Sequence, residues 1–270
     1  MKFSNINVKI YYLKHLMKII QVVTSYSLRK EPTIRDRLIT LIDTLILKKY
    51  HVILISNDNI KLKYNHLNFN HILVNYNKKK EKIFFFRFFN ELKLSLKLIK
   101  LSRQNNGDLV FLTIPSSLLL FLSFKLRSRK LHIDFRDLVW EYMFKNKFLL
   151  KMINILISKN LEFVRSISYT NEAERKNLSK FNFKKSNMYH ISNGVLKSKF
   201  KKLKLVKISK NIRPKVSYIG KIGLAQDLKV LIKVAELMPE VDFQIVGQGI
   251  DLNYLKRLVK KNFLNNIKFT

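Results

Sequence analysis

The sequence predicts an α/β protein made of two doubly wound units, the second of them incomplete. Three observations lead there. Short apolar runs alternate with longer segments whose apolar residues recur at helical spacing. Five of the six glycines follow such an apolar run immediately or within a few residues. Finally, 270 residues with 47% hydrophobic content can bury about two cores and are too apolar to stay unfolded.

The elements follow in order. Residues 1–16 are an extension of mixed Lys, Asn and apolar residues, and Met17–Thr24 reads as a first strand opened by a methionine. Pro32–Lys48 is helical, with Ile34, Leu38, Leu41, Ile42 and Leu45 on one face and Pro32 suited to a first turn. His51–Ser56 is a strand, and the polar, Asn-rich stretch 57–83 receives no assignment. Helix Phe84–Arg103, strand Asp108–Thr113, helix Ser116–Leu126 and strand Leu131–Phe135 come next. Leu138–Leu161 is helical with a break near Asn146. Strand Ser166–Thr170, helix Glu172–Phe181 and strand Asn187–Ile191 complete a first domain over 17–200. A Lys-rich linker without a clear period occupies 201–213. The remainder, 214–270, holds strands Val216–Ile219, Val241–Val246 and Ile267–Phe269 and helices Asp227–Met238 and Asp251–Lys261. Strands alternating with helices imply parallel sheets. So short a second domain is either part of a longer sheet or is completed by another chain.

Composition excludes several chemistries. Cysteine is absent, which removes a disulfide scaffold, a thiolate zinc site and a thiol nucleophile, and fits a reducing compartment. The net charge of +35 would attract nucleic acid, anionic lipid or phosphorylated substrates alike. However, the lysines are scattered rather than gathered, and the Lys, Asn, Ile, Phe and Tyr bias looks like coding drift towards A and T. That weighs against nucleic acid as the partner. The longest apolar stretch, Leu109–Phe124, is interrupted by Pro115 and is too short for a membrane span of about 20 residues.

Gly220, Gly223, Gly247 and Gly249 cluster after two neighbouring strands. In open α/β sheets ligands bind at the carboxyl ends of strands, so the cluster points to a phosphate-sized ligand near backbone amides. Ordinary turn chemistry is the alternative for any one of them. Gly247-Gln248-Gly249 opens like a dinucleotide fingerprint, but Leu252 stands where a third glycine is required. No P-loop occurs, and no Asp-x-Asp pair is present to hold a divalent ion.

Four segments carry a resemblance. They are Val216–Ala235 with Gly220-Lys221-Ile222-Gly223 and Gln226; Phe243–Gly249 followed by Asn266–Phe269; Asp134-Phe135-Arg136-Asp137-Leu138-Val139-Trp140; and Ser192-Asn193-Gly194-Val195. In order and spacing these resemble GT-B-fold glycosyltransferases with two Rossmann-like domains. More narrowly they resemble retaining family 4 in its bacterial polysaccharide and lipopolysaccharide branch. The resemblance covers roughly residues 17–270 and implies hexosyl-type transfer from a nucleotide-sugar donor to a glycan or lipid-linked acceptor. The donor is a co-substrate; no cofactor and no metal are implied.

The resemblance also implies roles. Gly220, Lys221, Gly223 and Gln226 would hold the donor phosphates, Gly247 and Gly249 a second donor-side loop, and Asn193 and Gly194 the interdomain turn. Leaving-phosphate charge must be met by fixed dipoles and cations, which suits Lys221 and the glycine turns. Arg136 and Asp137 would lie on the acceptor side. Related enzymes often have His at position 136, and Arg is not readily deprotonated. The resemblance makes Asp137 and Arg136 the catalytic candidates: Asp137 either accepts a proton from, or orients, an acceptor hydroxyl, or it caps the following segment. The sequence departs from the family in two places. The loop Ser25–Pro32 has no glycine, and the family's late Pro-x-Lys-x-x-Glu region would lie beyond Thr270. On Phe84–Arg103, Lys93, Lys97 and Lys100 share a face and could meet an anionic membrane. The expected location is cytoplasmic, at the inner face of the cell membrane. The rival readings are a basic nucleic-acid-binding α/β protein and a non-catalytic subunit completed by a partner chain.

Overall fold

The computed structural model describes residues 17–29, 31–64, 66–74, 76, 84–114, 117–138, 140–141, 146–181, 183, 187–194, 213–223 and 226–270. The expected extension 1–16 and nearly all of the expected linker 201–213 lie outside the described residues. The chain divides into two compact units, Met1–Lys202 and Leu203–Thr270.

In the first unit the elements are β1 (Ile19–Thr24), α1 (Pro32–Leu47), β2 (His51–Ser56), β3 (Phe69–Leu73), α2 (Phe84–Gln104) and β4 (Leu109–Ile114). Then come α3 (Ser117–Leu122) with a 3-10 turn, β5 (Lys130–Phe135), α4 (Lys147–Leu161), β6 (Ser166–Tyr169), α5 (Glu172–Leu178) and β7 (Met188–His190). All seven strands are parallel, in the order β3-β2-β1-β4-β5-β6-β7. The order reverses between β1 and β4, which opens a crevice at the carboxyl edge, where such folds bind ligands.

Why these residues form these layers follows from alternation along the strands. β1 and β2 are apolar on both faces because each face is covered. Val22, Val52 and Leu54 pack on Ile34, Leu38, Ile42 and Ile46 of α1. Val23, Ile53 and Ile55 belong to the larger core with α2, α3 and α4 on the opposite face. The break expected near Asn146 is an N-cap: its side chain accepts from the amides of Phe148 and Leu149 at 2.9 and 3.3 Å. The unassigned stretch 57–83 contains the edge strand β3. Its pattern is masked because only one residue, His71, is buried, and that one is polar.

The second unit has β8 (Lys215–Ile219), α6 (Lys229–Leu237), β9 (Asp242–Val246), α7 (Leu252–Lys261) and β10 (Ile267–Phe269). Its three parallel strands run in the order β10-β9-β8. Successive crossovers in one direction place both helices on one face. There Ile232 and Leu255 pack on Ile245, with Tyr218, Ile267 and Phe269 beside them.

Candidate functional site

Two networks and one pair of turns define the carboxyl edges. The first network is buried between β5, β6 and α1. Asp134, fully buried near the end of β5, accepts from Arg37 of α1 at 2.8 Å and from the Ser168 hydroxyl at 2.6 Å. The Ser168 proton is thereby committed to Asp134, so His132 Nε2–H must donate to Ser168 Oγ, 3.0 Å away. His132 Nδ1 then accepts from Ser166 Oγ at 2.7 Å. The result is a directed chain in which His132 is neutral. Burial pushes its pKa down to about 4; Asp134 opposes this and Arg37 reinforces it. The ring also stacks on Phe111 at 4.7 Å.

Arg37 does more than pair with Asp134. It donates to the carbonyls of Ile191 and Ser192 at 2.9 and 3.2 Å, fastening the segment that follows β7 to α1. The expected turn residues Asn193 and Gly194 are exposed there. With Thr33, Arg37, Thr40 and Phe111 they line a cavity of about 480 Å³. Nothing in the sequence marks Arg37 among 53 cations.

The second network builds the loop after β1. The Asp58 carboxylate, buried at the end of β2, accepts from Ser27 Oγ at 2.7 Å and from the amides of Leu28 and Arg29 at 3.2 and 3.4 Å. It also accepts from Ser56 Oγ at 2.7 Å. Ser56 in turn meets His71 Nε2 at 2.7 Å, and His71 Nδ1 accepts from the Leu62 amide at 3.0 Å. Burial lowers the His71 pKa against the pull of Asp58. This accounts for the missing glycine in Ser25–Pro32: the loop amides turn onto an internal carboxylate rather than leaving a bare cradle.

Arg136 and Asp137 leave the carboxyl end of β5 as expected. Arg136 is half-buried, and its Nη1 is buried with no partner among the described residues. Burial holds the Asp137 carboxyl above the usual carboxylate range, and Arg136 opposes the shift. Tyr26, just after β1, belongs to the same neighbourhood. Its hydroxyl is pushed up to about 12 by burial and by Asp137, with Arg136 acting the other way. No sequence signal singles out Tyr26; only the pairing of β1 through β4 to β5 brings it beside Asp137. All three lysines on α2 are exposed, and Lys97 also donates to the Val74 carbonyl at 2.9 Å.

In the second unit the glycine turns after β8 and β9 stack backbone on backbone. Gly220 N–H donates to the Val246 carbonyl at 3.0 Å and Ile222 N–H to the Gln248 carbonyl at 2.9 Å. A Cβ at Gly247 would overlap the Gly220 carbonyl oxygen, and one at Gly249 the Ile222 carbonyl oxygen. Gly247 also has φ +149°. Close approach therefore requires both glycines, whatever binds nearby. Lys221, Gln226, Gln248 and Gly249 are exposed, and Gly220 and Gly223 are half-buried, so the turns remain open to solvent. The helix expected from Asp227 begins at Lys229, because Asp227 takes φ +41°. Among the described residues no His, Asp and Glu group is placed to hold a metal ion, and no helix is long and apolar enough to cross a membrane.

Comparison with known proteins gives the fold. No protein-family model matches the chain, and no curated sequence matches it significantly. Solved structures do. Sucrose-phosphate synthase from Thermosynechococcus elongatus is similar over 94% of this chain and 70% of its own, at 14% identity and TM-score 0.65. A glycosyltransferase from Rickettsia africae is similar over 94% and 68%, at 15% identity and TM-score 0.56. HepE from Anabaena, in complex with UDP and glucose, is similar over 94% and 68%, at 16% identity and TM-score 0.54. The architecture is accordingly that of GT-B proteins: two Rossmann-like α/β units in one chain.

Proposed function

We propose that this chain is a GT-B glycosyltransferase that uses a nucleoside-diphosphate sugar. The observation that carries the reading is the GT-B likeness over 94% of the chain, which includes a transferase and a protein bound to UDP and glucose. Its own residues are compatible with that chemistry. The open turns of the second unit carry the exposed Lys221 beside the stacked glycines, and its ammonium group suits a diphosphate. In the first unit Asp137 and Arg136 stand at the carboxyl edge with Tyr26. A partly desolvated carboxylate can orient an acceptor hydroxyl, and Arg136 Nη1, without a partner among the described residues, can take an acceptor or phosphate oxygen.

The finer reading is retaining hexosyl transfer in cell-surface polysaccharide or lipopolysaccharide assembly. The acceptor would be a glycan or lipid-linked, and the enzyme would sit at the inner face of an anionic membrane. No divalent ion is required, so activity should survive EDTA. Gly220, Gly223 and Gln226 would serve with Lys221 on the donor phosphates.

The test is donor binding. UDP and UDP-glucose should raise the thermal midpoint of the full chain. Lys221→Ala should weaken UDP at least about tenfold, the value of one lost charge-assisted contact, while the unliganded midpoint stays put. If no nucleoside diphosphate binds while single-stranded polynucleotide does, with an affinity that falls steeply in salt, the basic nucleic-acid reading takes its place.

A further inference from the structure

The outer face of α4 is apolar where a surface helix should be polar. Phe148, Met152 and Leu156 are 74%, 48% and 50% exposed, and Leu149 and Ile155 flank them. These residues fall at i, i+4 and i+8, so they form one stripe along the helix. The opposite stripe, Ile153, Ile157 and Leu161, is already spent on the core. The helix is thus apolar on two sides. It contains no acidic residue; its charges are Lys147, Lys151 and Lys159, and the first carboxylate of the segment, Glu162, comes after its last turn.

Beside the apolar stripe lies a cavity of about 410 Å³ lined by Lys147, Lys151, Asn154, Ser158 and Lys180. Lys147 and Lys151 are one turn apart on the same side, and Lys180 reaches in from beyond α5, with Glu141 3.8 Å away. The Asn154 side-chain oxygen is buried there with no partner among the described residues. Three ammonium groups around a pocket, next to aromatic and aliphatic side chains pointing into solvent, match one chemistry. An anionic headgroup takes the pocket while acyl chains take the stripe.

We infer that α4, with the lysine pocket at its flank, is a docking surface for an anionic lipid bilayer. The placement is useful. α4 runs back from the carboxyl end of β5, so its first turns, with Phe148 and Met152, lie at the sheet edge that carries Arg136 and Asp137. The same topology puts the start of α2 at that edge, where Phe86 and Phe88 are exposed. A bilayer held on α4 would present lipid-linked molecules to that edge. The surface shares with the proposed function only the expectation of a membrane and needs no sugar donor, so its test is independent of transferase activity.

The experiment is flotation of the full chain with vesicles of phosphatidylcholine alone or mixed with phosphatidylglycerol. A net charge of +35 attracts anionic vesicles by itself, so the variants must separate surface from charge. Wild type should bind the mixed vesicles and not the neutral ones. Phe148→Ser/Met152→Ser/Leu156→Ser leaves the charge unchanged and should lose at least about tenfold in vesicle affinity. Lys147→Glu/Lys151→Glu should lose at least about tenfold, whereas Lys93→Glu/Lys100→Glu on α2, the same change in charge, should lose far less. Circular dichroism checks that each variant is folded. Full binding by the serine variant, or equal losses in the two lysine variants, overturns the surface in favour of diffuse electrostatics. A wild-type dimer that the serine variant converts to monomer, without vesicle binding, assigns the stripe to a second copy and also overturns it.

Discussion

Arg37 shows how much one side chain can hold. It neutralises a fully buried carboxylate and clasps two carbonyls of the segment after β7, contacts 97, 154 and 155 residues away in sequence. Removing it would strand Asp134, the situation in which breaking a buried pair is strongly destabilising. The same network makes His132 a source of acid sensitivity. Its folded pKa of about 4 lies below the usual 6.5 of an unfolded histidine. Above pH 6.5 both states are neutral there, and its full contribution is present. As the pH falls from 6.5 towards 4 the unfolded state gains a proton that the folded state refuses, and stability drops by about 3 kcal/mol. His132→Asn should therefore lose about 2 to 3 kcal/mol less than wild type between pH 7 and 4.5 in denaturant titrations. Parallel losses in the two proteins would mean that His132 titrates normally. None of this could be read from the sequence, where His132 is one apolar-run histidine among six.

Among the elements, the helices and strands buried on both faces were the most legible. Alternation and helical spacing are local, so α1, β2, β4 and β5 lie where their apolar residues place them. β3 escaped because an edge strand with one buried polar residue carries no alternating signal. The glycine turns were legible as a cluster but not in their cause. Gly247 and Gly249 are required by the stacking of one turn on another, whereas a Cβ at Gly194 would meet nothing within 4 Å. Gly249→Ala should accordingly destabilise the second unit by about 1 to 3 kcal/mol, and Gly194→Ala should stay within about 0.5 kcal/mol. Denaturation of each variant checks this, and a neutral Gly249→Ala would falsify the stacked-turn geometry.

For the whole molecule the dominant quantity is its charge. Fifty-three cations against 18 anions repel one another across any compact state. Screening should relieve that repulsion. Raising NaCl from 50 to 500 mM should lift the thermal midpoint by about 2 °C or more, since the Debye length shrinks below typical lysine spacings. A midpoint that is flat or falls with salt would show that the cations are already locally paired. The scatter of those lysines also separates the surface readings. A uniform cation field has no address, whereas α4 combines lysines with an exposed apolar stripe and so does.

The order of strands and helices apart from β3, the two-unit plan and the clustering of glycines after two neighbouring strands were legible in the sequence alone, because apolar periodicity and backbone freedom act over a few residues. The carboxylate that fills the first loop, the arginine that ties α1 to the segment after β7, the tyrosine beside Asp137 and the uncovered face of α4 were decided only by the tertiary structure. Each depends on which residues from dozens of positions away come to lie beside it, and parallel crossovers settle such distances only once the sheet is assembled.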